Sequence, residues 1–329
     1  MCIRDRLKRL YPILNLTSIR VFREIIMKFV ILKTLRNLKI MVLLDNIAAL
    51  RQWRKSVGKL ALIPTMGNLH EGHLNLIKAA KNKATDILLS IFVNPIQFGP
   101  KEDFNSYPRT LEQDLKKAQT AGVNAVFAPS IKEMFPYGKQ HIYVYPSQLA
   151  NYYCGKTRPG HFQGVLTIVA RLFNIAAPDW AYFGKKDYQQ WIMIQQMTKE
   201  LNFPVEIIGV ETTRDQDGLA LSSRNQYLSL EQRQKAVQLR KMLIEVKEKI
   251  LKENFHHAKS LLAQAKQNMT DCGWNMDYIA LARADDLEPA NEQDRHLVIL
   301  AAGRLGNTRL IDNIDFSKLV MEQSLKSVD

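Results

Sequence analysis

From Lys59 onward, short apolar runs alternate with longer segments whose apolar residues recur at helical spacing, the pattern left by successive βαβ units. "KLALIP" reads as a strand, "HLNLIKAAKNKA" as a helix and "DILLSIFV" as a continuous apolar strand. "TLEQDLKKAQTAG" reads as a helix stopped by Gly122, and "NAVFAP" as the strand after it. "GVLTIVARLFNIA", "DWAYFG", "DYQQWIMIQQMTKELN" and "VEIIGV" continue as helix, strand, helix and strand. Strands apolar along their whole length are buried on both faces, which points to a parallel, doubly wound α/β sheet. Ligands of such sheets sit at the carboxyl ends of the strands.

After Arg224 the pattern changes. "SLEQRQKAVQLRKMLIEVKEKILKE" predicts one long charged helix and "HHAKSLLAQAKQNMTDCG" another; "MDYIALARA" and "HLVILAAGRLGNTRLIDNI" predict strands. This is a second, smaller α+β unit of domain size. The expected division is 41–212 for the sheet domain and 213–322 for the smaller carboxy-terminal one, with the hinge near Glu211 to Asp217.

Composition narrows the function classes. Of 329 residues, 46% are hydrophobic, ordinary for a globular chain. The three cysteines, Cys2, Cys154 and Cys272, form no CxxC pair, so neither a disulfide framework nor a cysteine zinc site is suggested, and a cytoplasmic setting is expected. The net charge is +14, but residues 1–40 carry ten Lys/Arg against Asp5 and Glu24, an excess of +8. A basic stripe for nucleic acid is therefore not expected in the remainder, and no apolar span is long enough for a membrane helix. The leader itself is read as an unrelated extension or a mis-called start before Met41, with organelle targeting the competing reading.

Four clusters carry chemistry. In "IPTMGNLHEGHLNLIKAA", Pro64 ends a strand, Gly67 permits a tight turn, and His70 and His73 fall one turn apart at a helix start, where free N–H groups and the helix dipole favour anions. Phosphate binding, packing and metal ligation are all open for that pair, although HEGH is not the HExxH of zinc peptidases. In "SIFVNPIQFGPKEDFNSYPRTLEQD", Asn94 and Gln97 stand at a strand end, where an amide offers both a donor and an acceptor. In "RPGHFQGV" and "AYFGKKDYQQ", Arg158 and His161 precede a helix expected to start at Gly164, and Gly184, Lys185, Lys186 and Asp187 again open a helix after a strand. In "DGLALSSRNQYL", Ser222, Ser223 and Arg224 offer two hydroxyls and a guanidinium fork.

In this order, "PTMGNLHEGH", "FVNPIQFGPKEDFNSYPRT", "RPGHFQGV", "FGKKDYQQ", "DGLALSSRNQYL" and "GRLGNTRLIDN" resemble the pantothenate synthetase (pantoate–β-alanine ligase) family, from Met41 to about Phe316. HxGH alone also marks the wider nucleotidyltransferase superfamily and class I aminoacyl-tRNA synthetases. The resemblance implies a Rossmann-like domain with a small carboxy-terminal lid, usually in a cytoplasmic homodimer. It implies that ATP and (R)-pantoate form pantoyl adenylate and pyrophosphate, and that β-alanine then displaces AMP, with Mg²⁺ accompanying the nucleotide. It makes His73 the proton donor, assisted by His70, Lys186 and Arg224 in neutralising phosphate charge. ATP contacts are implied for Met66, Gly67, Asn68, Leu69, His70, Glu71, Gly72, His73, Gly184, Lys185, Lys186, Asp187, Thr213, Leu221, Ser222, Ser223 and Arg224. Gln97, Gln190 and Asn94 would meet the other substrates, and no metal is expected on protein ligands alone. Many members read GEKD where this chain has GKKD, and an aliphatic residue is frequent at Thr213. On this reading the histidines hold ATP phosphates and zinc drops out.

Overall fold

The computed structural model describes residues 41–100, 102–146, 148–252 and 255–317. The leader, 1–40, and the last residues of the second expected unit, 318–322, lie outside these. Six parallel strands form the first sheet: β1 (Val42–Leu44), β2 (Leu60–Thr65), β3 (Asp86–Ile91), β4 (Ala125–Phe127), β5 (Trp180–Gly184) and β6 (Glu206–Val210). Their order is β1-β4-β3-β2-β5-β6. The five strands expected from apolar runs are all present. Edge strand β1 is the addition, three residues long, with only Leu44 buried.

The connecting helices, numbering those of seven residues or more, are α1 (Ile47–Arg54), α2 (Glu71–Ala80), α3 (Leu111–Thr120), α4 (His161–Ala176) and α5 (Tyr188–Glu200). The chain passes from β2 through β3 to β4 in one direction across the sheet and from β5 to β6 in the other. Right-handed crossovers therefore place α2 and α3 on one face and α4 and α5 on the opposite face, which is double winding. Leu60 to Ile63 are wholly buried between these layers, which explains why β2 reads as an unbroken apolar run. Helix α4 starts at His161, three residues before the expected Gly164, because Gly160 takes the left-handed conformation (φ +81°) that turns the chain into it.

The register of β2 opens the sheet where the winding reverses. It pairs with β3 over six residues, Leu60 to Thr65, but with β5 only at Ala61 and Leu62. Pro64 has no N–H with which to extend a ladder. Beyond Leu62 the carboxyl ends of β2 and β5 no longer pair with each other, and a crevice opens between them.

The second sheet is antiparallel: β7 (Asn275–Arg283), β8 (His296–Leu305) and β9 (Thr308–Ser317), accompanied by α6 (Leu230–Ala236), α7 (Gln238–Lys252) and α8 (Ala258–Asp271). The single helix expected over 229–253 is two: the ladder is interrupted at Val237, whose N–H turns to the Lys235 carbonyl. Strand β8 is buried on both faces. Ile299 and Ala301 pack with Leu239, Leu243 and Trp274, while Val298 and Leu300 pack with Tyr188 and Ile192 of α5. Period-two alternation between two apolar layers makes this strand, too, a continuous apolar run. Among the described residues, no helix is long and apolar enough to cross a membrane.

Candidate active site

The crevice at the reversal is a cleft of about 240 Å³ into which all four sequence clusters send residues. At its floor, His70 is the N-cap of α2. Its Nδ1 accepts the Gly72 N–H at 3.1 Å, while the Nδ1 of His73 accepts the His70 N–H at 3.3 Å. With backbone donors on both Nδ1 atoms, each neutral ring carries its proton on Nε2. The rings lie 4.1 Å apart, centroid to centroid. Burial, then the Lys186 ammonium, holds the pKa of His70 down at about 4. Burial, then His70 and Lys186, holds that of His73 at about 3. At neutral pH both are uncharged donors, so they do not supply the positive charge assigned to them from sequence. Among the described residues, no group of three His, Cys, Asp or Glu side chains gathers as a metal site.

The turn before α2 divides the residues expected to bind nucleotide. Met66, His70, Gly72 and His73 line the cleft; Gly67, Asn68, Leu69 and Glu71 do not. Gly67 (φ +83°) and Asn68 (φ +50°) shape the loop, and the buried Asp114 carboxylate accepts the N–H groups of Asn68 at 2.9 Å and Leu69 at 2.7 Å. Leu69 is a core side chain and Glu71 points to solvent. Asp114, from the middle of α3, has no recognisable motif. Its part in building the turn emerges only when the two elements pack.

On the other side of β2, Pro95–Gln97 forms a single 3-10 turn after β3. The Asn94 amide donates to Gln97 Oε1 at 2.9 Å and to the Gly164 carbonyl at 3.2 Å, and Gln97 donates to the Met66 sulfur at 3.2 Å. Three polar atoms of cleft-lining residues are buried without a partner among the described residues: Asn94 Oδ1, Ser90 Oγ and Tyr182 OH. An unmet buried acceptor or hydroxyl is costly, and a hydroxylated ligand would satisfy it. Ser90 and Tyr182, inside apolar strands, gave no sequence signal. Gln190 of α5 also lines the cleft.

The cationic side is made of residues from three loops. Lys186 lines the cleft with Asp187, 3.9 Å from it. Lys185 does not: its ammonium pairs with Glu211 and Asp315 and lies over the Trp191 ring, so of the two lysines only the second is available to a phosphate. Ser222, Ser223, Leu221, Gly184 and Thr213 also reach the cleft. The Thr213 hydroxyl accepts from Asn75 at 2.9 Å and its carbonyl accepts the Leu221 N–H at 3.0 Å.

The two arginines are already engaged. Arg224 forms a two-pronged pair with Asp103, at 2.8 and 3.1 Å, and Arg158 another with Glu102, at 2.6 and 2.7 Å. Consecutive acids of the "PKEDFN" loop thus strap two walls of the cleft together. Burial alone would raise the Glu102 carboxyl; hydrogen bonds and charge from Arg158 outweigh it and hold the group at about 2. Arg158 also contacts His161 Nε2 at 2.8 Å, and His161 Nδ1 meets the Gln97 carbonyl at 2.9 Å. Burial, then the Arg158 charge, holds His161 at about 3. The acids were visible within a motif but carried no assigned role.

The pantoate–β-alanine ligase family model matches residues 41–315. A pantothenate synthetase of Neisseria meningitidis serogroup C is 53% identical over 275 residues, 84% of this chain and 99% of the relative. One from Chromobacterium violaceum is 50% identical over the same share of each. The crystal structure of pantothenate synthetase from Thermus thermophilus superposes with a TM-score of 0.78 at 41% identity, covering 83% of this chain and 99% of that one. The Francisella tularensis pantoate–β-alanine ligase, solved in complex with β,γ ATP and β-alanine, gives 0.67 at 35%, covering 84% and 97%. A reversal-point cleft holding every cluster, and relatives matched over nearly their whole length, lead to one conclusion: the chain belongs to the pantoate–β-alanine ligase family.

Proposed function

We propose that the chain condenses (R)-pantoate with β-alanine, using ATP and passing through pantoyl adenylate. A pantoate carboxylate oxygen attacks the α-phosphorus and pyrophosphate leaves; the β-alanine amine then attacks the acyl carbon and AMP leaves. The carboxylate is ionised at neutral pH, so the first step needs alignment and charge stabilisation rather than a strong base. The Nε2–H groups of His70 and His73 donate to phosphate oxygens as neutral dipoles, at the positive end of α2. Lys186 supplies the fixed charge, and Arg224 joins it on exchanging Asp103 for phosphate. Ser222 and Ser223 add hydroxyl donors, and Thr213 and Leu221 border the nucleotide.

Gln97 and Gln190 orient pantoate, whose hydroxyls satisfy the orphaned Asn94 Oδ1 and Ser90 Oγ. Asp187, a hard oxygen donor lining the cleft, would help hold an Mg²⁺ ion carried by the triphosphate, which would supply charge neutralisation for the pyrophosphate. Residues 213–322 act as the smaller domain that closes over the site. A cytoplasmic homodimer completes the reading. It is supported by free Cys154 and Cys272 and by exposed Tyr137, Ile142 and Tyr145, large apolar side chains of one segment that a partner subunit would cover.

The observation carrying this reading is the convergence of Lys186, the paired neutral imidazoles and the unmet Asn94 acceptor in one cleft. In the test, the protein is supplied with ATP and Mg²⁺. AMP and pyrophosphate should form only when pantoate is present, and amide only when β-alanine is added. Production of ADP, or full turnover without pantoate, would sink it.

A further inference from the structure

Asp312 and Asn313 are neighbours on β9, close the "RLIDN" motif, and have no place in the chemistry above. Both are buried, at 4% and 6% exposure, and neither lines the nucleotide cleft. Successive residues of a strand face opposite ways, and each of these two grips a different part of the nucleotide site.

Asp312 holds Arg214 in a two-pronged pair, at 2.7 and 2.9 Å. Arg214 lies inside a short hairpin closed by Leu221 N–H to Thr213 O at 3.0 Å and Asp215 N–H to Leu219 O at 2.8 Å. Both ends of that hairpin, Thr213 and Leu221, reach the cleft, and Ser222 to Arg224 continue from it. Asn313 uses both hydrogens of its side-chain amide. Its Nδ2 donates to the carbonyls of Lys185 and Lys186, each at 2.9 Å, across the turn that presents Lys186. The Asn313 carbonyl is itself held by Arg240 at 3.2 Å.

We propose that Asp312 and Asn313 are a positioning pair that fixes the separation between the Lys186 turn and the Thr213–Arg224 segment. The inference rests on the ligase reading for the identity of the nucleotide, though not for the geometry. The two segments leave the paired strands β5 and β6, whose ladder ends at Gly184 and Val210; beyond that end they must still engage one nucleotide with errors of only about 0.5 Å. A single rigid strand gripping both supplies that spacing. Only a primary amide of this length offers two donors to adjacent carbonyls; a carboxylate of the same shape offers none and places charge against them.

The test uses the whole chain with Asn313→Asp, Asp312→Asn and, should the first fail to fold, Asn313→Ala. Calorimetry with a non-hydrolysable ATP analogue gives the nucleotide Kd, and steady-state assays give KM for pantoate and for β-alanine. The analogue Kd should rise tenfold or more in both Asp312→Asn and the folded Asn313 variant, with KM for β-alanine within twofold of wild type. An analogue Kd within twofold of wild type, or a rise matched by the β-alanine KM, overturns the positioning role and leaves ordinary packing. Wild-type protein that binds the analogue but makes no AMP from pantoate refutes the ligase reading alone. Normal AMP formation with undisturbed variants refutes this inference alone.

Discussion

His70 and His73 share a protonation state that their neighbours enforce. Each ring spends Nδ1 on a backbone N–H and sits in a place where a proton is unwelcome, so both pKa values lie well below 6.5. The sign for stability follows: the unfolded chain takes up these protons first, so the folded state is favoured above about pH 6.5 and loses ground as pH falls towards 4 and then 3. Nitrogen-detected NMR of the free protein should show both imidazoles as Nε2–H with no titration between pH 5.5 and 8, and the melting temperature should drop as pH falls below 6. A midpoint near 6.5 for either ring would contradict the neutral-donor role. The histidine pair was legible from its spacing and Gly67, because local geometry sets both. The preference for Lys186 over Lys185 came from the family resemblance; its physical reason was not legible, since Glu211 and Asp315, distant in sequence, are what engage Lys185.

At the scale of elements, the substrate amides depend on how closely α4 approaches the Pro95–Gln97 turn. A Cβ on Gly164 would lie 2.2 Å from the Ile96 carbonyl oxygen and 2.7 Å from Gln97 Cα, so only glycine permits the contact that also carries the Asn94 to Gly164 hydrogen bond. Gly164→Ala should push the turn away, lowering stability by about 1–3 kcal/mol and raising KM for pantoate more than KM for ATP. Denaturant melts combined with KM measurements check both; an unshifted pantoate KM would show that the turn tolerates the displacement. The glycine was read from sequence as a helix start, and its use is instead a close backbone approach inside α4. Such a role depends on a partner from another loop. Helix periodicity was legible; the interruption at Val237 was not, because the charged face of 229–253 continues through it without a Gly or Pro.

At the scale of the whole molecule, the double winding and the appended sheet were both legible as alternating periodicities. Their mutual seating, through Tyr188 and Ile192 against Val298 and Leu300, was not. Both faces of β8 are apolar, and nothing in an apolar run says which layer covers which face. The family model begins at Met41, so a chain starting there should turn over ATP, pantoate and β-alanine at the rate of the full chain; a tenfold loss of kcat would assign residues 1–40 a part in the reaction. The acidic strap, finally, bears on how a basic protein remains selective. With Glu102 on Arg158 and Asp103 on Arg224, the resting cleft presents its strongest forks to no passing polyanion. On the proposed reading, nucleotide entry is then an exchange of one anion for another rather than a capture by bare charge.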